Sequence, residues 1–286
     1  MALIEFTSRG IYCPPAEVYI DPWHPVDRAI ITHAHADHAR PGHRFYLAHH
    51  LSAPIMRQRL GRHIRLQTLN YGERVTIRGV EFSLHPAGHI PGSAQIRVEQ
   101  SGEVWVITGD FKLEESPLCA PYEPVACHSM VMECTFGLPA YKWEPAERIM
   151  TSIDEWWQVN REAGKVSLLI GYALGKAQRL LQGVDSQIGP IYTHGAVENV
   201  NELLRLEGIA LPATRRVQSG QSKKDWKGSL VVAPPSAIGT PWSRKLGTVS
   251  TGMASGWMAL RGARRRRAAD RGFVLSDHAD WPGLQE

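Results

Sequence analysis

No stretch of the sequence approaches the roughly 20 uncharged apolar residues that a membrane helix needs, and residues 1–6 show neither the basic start nor the apolar core of a secretory signal. A cytoplasmic location with no membrane partner is the expectation. Cysteine is scarce as well: Cys13, Cys119, Cys127 and Cys134 contain no Cys-x-x-Cys pair and are too few for a disulfide scaffold, so buried reduced thiols are expected. Charge of one sign is in small excess only, a formal net of +4. That suits a polyanionic partner without requiring one. Hydrophobic residues make up 43% of the 286, enough core for one large or two modest domains.

Histidine is concentrated where it matters. His33, His35, Asp37 and His38 place four candidate metal ligands in six positions, directly after the strand-like run 28–31. Alternate residues of an extended segment point the same way, so His33 and His35 can grip one ion. Asp37 and His38 fall in a turn or helix start and can reach a second. Imidazole and carboxylate donors suit zinc and admit manganese or iron. By contrast, His43, His49, His50 and His63 read as surface or helix-capping groups, near a helix over 54–60. Segments 75–77, 80–84, 94–98 and 104–107 alternate in the strand manner and read as a β-meander with glycine turns.

The histidine motif resembles that of the metallo-β-lactamase superfamily, where two ions lie between two β-sheets and hold a bridging hydroxide. The resemblance implies an α/β (α+β) fold, an αββα sandwich, and two Zn²⁺ per chain. It also implies the remaining ligands: His89 joins His33 and His35 at the first ion, Asp110 bridges both, and His278 joins Asp37 and His38 at the second. Asp37 would also orient the hydroxide. Asp21, at a strand tip, becomes a carboxylate bonded to a ligating imidazole; its alternative is an Asp that merely starts the Asp21-Pro22 turn.

Residues 138–254 are too long for a loop and alternate helix-like 146–160, 175–181 and 197–206 with strand-like 165–170, 190–192 and 229–232. That order predicts a small α/β domain with a parallel sheet. It resembles the β-CASP insertion of nucleic-acid-processing members, giving residues 1–137 as the first part of the metallo-β-lactamase domain, 138–254 as the insertion and 255–286 as the second part. Glu133 then stands where those nucleases carry an acidic residue near the metals. His194 is a candidate for leaving-group protonation, or is structural. The Gly171–Gln178 run is one residue short of a phosphate loop, so no NTPase is expected, but Lys176 at a helix start would attract a backbone phosphate. Arg264, Arg265, Arg266 and Arg267 read as nucleic-acid contacts.

Segments 171–178, 233–237, 250–258 and 276–284 together resemble the bacterial DNA-ligase-associated exonuclease family, itself similar to Artemis-like crosslink-repair nucleases, over nearly the whole chain. The resemblance implies metal-dependent hydrolysis of phosphodiester bonds at DNA ends, in repair, beside an ATP-dependent DNA ligase and a helicase. Similar proteins continue beyond the position of His278, so the C-terminus reads as shortened. Competing readings are a β-CASP ribonuclease, a small-molecule hydrolase of the metallo-β-lactamase type, and a non-catalytic DNA-end-binding protein.

Overall fold

A computed structural model describes residues 2–218, 220, 224–260 and 269–286. The chain divides into two compact units, Met1–Thr135 and Phe136–Glu286.

The first unit holds two sheets. One has the order β1 (Glu5–Thr7), β2 (Gly10–Cys13), β3 (Val18–Ile20), β4 (Arg28–Ile30), β5 (Phe45–His49), β6 (Leu66–Leu69). Its first three strands pair antiparallel, and β3 to β6 pair parallel. The meander forms the other: β7 (Arg74–Ile77), β8 (Val80–Pro86), β9 (Ala94–Gln100) and β10 (Glu103–Ile107) pair antiparallel, and β11 (Ser129–Val131) adds parallel to β10. Every second residue explains the layering. Val80, Phe82 and Leu84 with Ala94, Ile96 and Val98 are fully buried and meet Val18, Ile20, Ile30 and Leu47 of the first sheet in one core. The strands β5 and β6 and the helix α1 (Ala53–Leu60) occupy a region where the sequence suggested a helix alone.

Two expectations there need correction. His43 and His49 are buried rather than at the surface, and His49 stacks on Tyr71 with ring centroids 3.8 Å apart; its Nδ1 accepts from Leu51 N–H at 3.4 Å and so fills the capping role that the sequence offered as the alternative. Of the cysteines, Cys13 is buried, Cys119 and Cys127 are partly covered and Cys134 is exposed. Burial, reinforced by the neighbouring His50, pushes the His49 imidazole down to about 3. A depressed histidine binds fewer protons folded than unfolded, so its stability contribution is lost as pH falls below the ordinary value near 6.5. Between pH 7 and 5 the chain is expected to lose about 2 kcal/mol through this residue. Denaturant unfolding at both pH values should show the change from pH 7 to 5 less favourable by about that amount in the unmodified chain than in His49→Leu, because the raised His38 contributes equally to both.

The second unit is a parallel sheet of order β14 (Arg215–Arg216), β13 (Ile191–Thr193), β15 (Leu230–Ala233), β12 (Val166–Ile170), β16 (Val249–Ala254), β17 (Arg271–Phe273). Helices α2 (Ala146–Glu162), α3 (Lys176–Gly183) and α4 (Gly195–Leu206) alternate with its strands. Both faces are covered, as a parallel sheet requires: Leu169, Leu230 and Val232 pack with Trp157 and Leu180, while Leu168, Ile170 and Val231 pack with Trp226 and Met258. The segment expected to return to the first domain supplies β17, which pairs with β16, and Phe273 and Leu275 join the Trp157 core. Among the described residues, no helix is long and apolar enough to cross a membrane.

Candidate metal centre

The ligand candidates of the first unit come from three loops that follow strand ends. After β4, Thr32 to Asp37 leave the sheet, and Ala39 N–H donates to the His35 carbonyl at 2.8 Å, closing one helical turn. His33 lies just past β4, His35 at the bend where the turn begins, and Asp37 and His38 on the turn. Between β8 and β9 the Ser93 hydroxyl accepts from the backbone N–H of His89 at 3.1 Å and of Ile90 at 3.2 Å. Ala94 N–H then donates to the Thr32 carbonyl at 2.8 Å, locking the two loops together. Past β10, Gly109 has φ +57°, and a Cβ there would sit 2.7 Å from the Thr32 hydroxyl. Only glycine lets the Asp110 loop approach so closely.

The result is a convergence of lone pairs. His35 Nδ1 lies 3.0 Å from His33 Nε2 and 3.2 Å from His89 Nε2. Asp110 Oδ2 lies 3.5 Å from His33 Nε2 and 3.6 Å from His89 Nε2. Four donors about 2.0–2.1 Å from a tetrahedral zinc stand about 3.3 Å apart, so these separations fit such an ion. The other oxygen, Asp110 Oδ1, lies 3.5 Å from His38 Nε2, which is 3.9 Å from Asp37 Oδ2. Asp110 thus presents one oxygen to each histidine group, the arrangement of a bridging carboxylate.

Asp21 orders this cluster. Its backbone is left-handed (φ +43°), which turns the side chain towards the histidine loop. Oδ1 accepts from Thr32 N–H at 2.8 Å, and Oδ2 accepts from the Thr32 hydroxyl at 2.5 Å and faces His38 Nδ1 at 2.7 Å. The carboxylate can only accept, so His38 carries its proton on Nδ1 and offers Nε2. With its own hydrogen given to Asp21, the Thr32 hydroxyl can only accept at the His33 Nδ1 contact of 3.1 Å. His33 is set in the same tautomer through one intermediary. Burial disfavours charge on His38, yet Asp21 and Asp110 outweigh it and push the imidazole up to about 11, so without a cation Nε2 is protonated as well, and a metal ion would take that proton's place. Negative charge in excess of its partners is what a bound cation would offset.

Asp21→Asn is expected to keep the backbone, since asparagine tolerates a left-handed conformation. It would turn an acceptor into a donor opposite the Thr32 hydroxyl and His38. Metal affinity should fall about 10- to 100-fold, read by competition with a chelator.

The other candidates are placed as follows. Glu133 Oε1 accepts from Phe111 N–H at 2.8 Å and its Oε2 from the Thr135 hydroxyl, so it pins the backbone just after Asp110. His194, in the second unit, caps α4 by accepting from Ala196 N–H at 3.0 Å. His278, also there, donates its backbone N–H to the Ser276 hydroxyl at 3.1 Å, and its carbonyl accepts from Trp143 Nε1 at 2.9 Å. Lys176 is a correction. It does not face solvent for a phosphate: it is 4% exposed, and Nζ donates to the Leu275 carbonyl at 2.8 Å and pairs with Asp277 at 2.9 Å. Arg264, Arg265, Arg266 and Arg267 lie outside the described residues. Sequence reasoning missed Thr32, Arg179 and Asp277 as contributors. The signal for Thr32 was a hydroxyl one residue before His33 and eleven after Asp21; none pointed to the other two.

The chain matches no protein-family model. It is 31% identical to a protein of Opitutus terrae named as a probable DNA ligase, over 97% of this chain and 27% of that protein. It is 31% identical to RNase aCSPSF2 of Saccharolobus solfataricus, over 48% of this chain and 28% of that protein. It therefore spans little more than a quarter of the length of these relatives. A crystal structure of a protein of unknown function from Enterococcus faecalis shares the fold at TM-score 0.59 and 12% identity, covering 90% of this chain and 71% of that one. With the two-sheet unit, the parallel-sheet unit and the histidine motif, the likenesses to the two curated relatives support the metallo-β-lactamase superfamily, and the mixed α/β architecture is consistent with its β-CASP form of the fold.

Proposed function

We propose that the chain is a metal-dependent nuclease that hydrolyses phosphodiester bonds at DNA ends, in repair, beside an ATP-dependent DNA ligase. The observation that carries the DNA reading is the match to the Opitutus protein: 97% of this chain against 27% of a protein named as a ligase is the proportion expected of an end-processing unit joined to one. A ribonuclease is the second reading, favoured by the likeness to RNase aCSPSF2.

Held by His33, His35, His89 and Asp110 on one side and by Asp37, His38 and Asp110 on the other, two zinc-like cations would supply Lewis acidity, acidifying water towards neutrality and placing positive charge beside the scissile phosphate. The chain's own part is preorganisation. Asp21 and Thr32 keep the Nδ1 protons on His38 and His33, so both Nε2 lone pairs stay available. Glu133 holds the Phe111 backbone and with it the Asp110 loop. The exposed Asp37 carboxylate is the acceptor free to orient a water and take its proton. His278 enters this proposal from the sequence resemblance alone, as do His194 as a proton donor, the division at 137 and 254, a helicase partner and a cytoplasmic site of action. The test is elemental analysis of the purified chain, then parallel digestion of 5′- and 3′-labelled DNA and RNA. Loss of DNA end label with about two metal ions per chain supports the proposal; exclusive RNA cleavage moves the ribonuclease reading ahead.

A further inference from the structure

A second feature of the first unit lies at the other ends of its strands. The metal ligands follow the C-terminal ends of β4 and β10; the N-terminal ends of β4, β5 and β6 open onto a cleft of about 400 Å³. Arg28 is the first residue of β4 and is in register with Phe45, the first of β5. Arg65 directly precedes β6, and its carbonyl accepts from Tyr46 N–H at 2.8 Å, which sets it beside Phe45. By strand alternation Arg28 shares the face of Ile30, and Phe45 that of Leu47, both core residues. The cleft is therefore the open mouth of the sandwich, with an apolar floor and a basic rim.

The rim is organised around one ring. The guanidinium carbons of Arg44, Arg65 and Arg28 lie 5.0, 5.4 and 5.7 Å from the Phe45 centroid. Asp27 is shared by Arg44 at 3.2 Å and Arg28 at 3.7 Å. Among the described residues, Arg65 has no carboxylate within ion-pair distance. Three cations against one anion leave a local excess of two positive charges around a half-buried aromatic face. A merely solvated basic surface would need neither the ring nor the apolar floor. Guanidinium planes hold phosphate bidentately, and aromatic and guanidinium faces stack nucleobases. A cleft of this volume lies within the ordinary range for one small ligand, about 300–1,000 Å³.

We propose that this cleft binds a nucleotide unit, its base against Phe45 and the apolar floor and its phosphate on Arg65 and Arg28, as a subsite separate from the metal centre. The choice of nucleic acid as the source rests on the nuclease reading above; the cleft itself does not. A free nucleotide and a nucleotide within a strand share this chemistry, and the experiment separates them.

The full chain is stripped of metal with EDTA and titrated with labelled ten-nucleotide oligo-dT and oligo-U strands across a salt series, with 5′-thymidine monophosphate as competitor. Arg65→Ala is expected to weaken strand binding about 3- to 10-fold at low salt and to lower the magnitude of the salt slope by about one. Phe45→Leu is expected to weaken it about fivefold or more, through lost stacking. Competition by the mononucleotide at the affinity of the strand identifies a free nucleotide as the occupant; competition only at far higher concentration identifies a strand. Unchanged binding and slope in both variants, with circular dichroism showing them folded, overturns the proposal. Hydrolysis of bis(4-nitrophenyl) phosphate by the metal-loaded unmodified chain, which needs no strand, tests the nuclease reading separately. Its failure would count against that reading and leave the cleft result standing.

Discussion

His35→Ala is expected to release metal from the first unit and to cut phosphodiester hydrolysis by about two to three orders of magnitude, the scale of losing a preorganised charge-stabilising group. His35 occupies the centre of the donor cluster. Its Nδ1 is within 3.2 Å of the ring nitrogens of both His33 and His89, so its loss removes one corner of the tetrahedron. Three donors with an open side still bind zinc, but more weakly and with a displaced ion. Elemental analysis of matched samples reads the metal and the labelled-strand assay reads the rate. Because His35 is only partly buried and contributes no core packing, the variant should remain folded by circular dichroism. Full metal content and unchanged rate in His35→Ala would sink the centre as assigned.

Lys176→Ala acts on the second unit through a different force. Asp277 is 7% exposed and is held by Lys176 at 2.9 Å and Arg179 at 3.4 Å. The same two side chains hold the chain on either side of it, Lys176 through the Leu275 carbonyl at 2.8 Å and Arg179 through the Ser276 carbonyl at 2.5 Å. Two cations of one helical turn thus fix the run leading to His278. Truncating a partner of a buried ion pair costs about 3–5 kcal/mol, because the remaining charge stays desolvated. Arg179 persists beside Asp277, so a loss at the low end, about 3 kcal/mol, is expected in denaturant unfolding. Asp277→Asn in the Lys176→Met background should not recover it, since the Arg179 guanidinium would then lose its carboxylate partner. A loss below about 0.5 kcal/mol, the size of a surface pair, would show that the ammonium is solvated in solution.

The sequence by itself determined the chemistry of the first unit. His33, His35, Asp37 and His38 lie within one short stretch, so the donor set is legible there, although Asp21, from another strand end, orients His38. The strands β7 to β10 were equally legible, because each buries one face and its neighbours in sequence are its neighbours in space. The alternating order of the second unit implied a parallel sheet because a helical crossover returns each strand in the same direction, although the strand order itself was not readable from the sequence. Legibility failed where the cause was non-local. β5 pairs parallel with β4, and β6 with β5, across long connections, and no period in Phe45–His49 or Leu66–Leu69 announces partners so far away. Lys176 shows the limit most clearly. Residue type and a helix start suggested an exposed phosphate contact, whereas Asp277, about a hundred residues later, captures the ammonium inside the unit. Likewise only tertiary structure could bring Arg28, Phe45 and Arg65 to one mouth of the sandwich, because register between parallel strands is set by the whole sheet. Donor identity is a local property of side chains and survives in the sequence; which charges are spent on one another and which face solvent depends on packing among residues far apart in the chain.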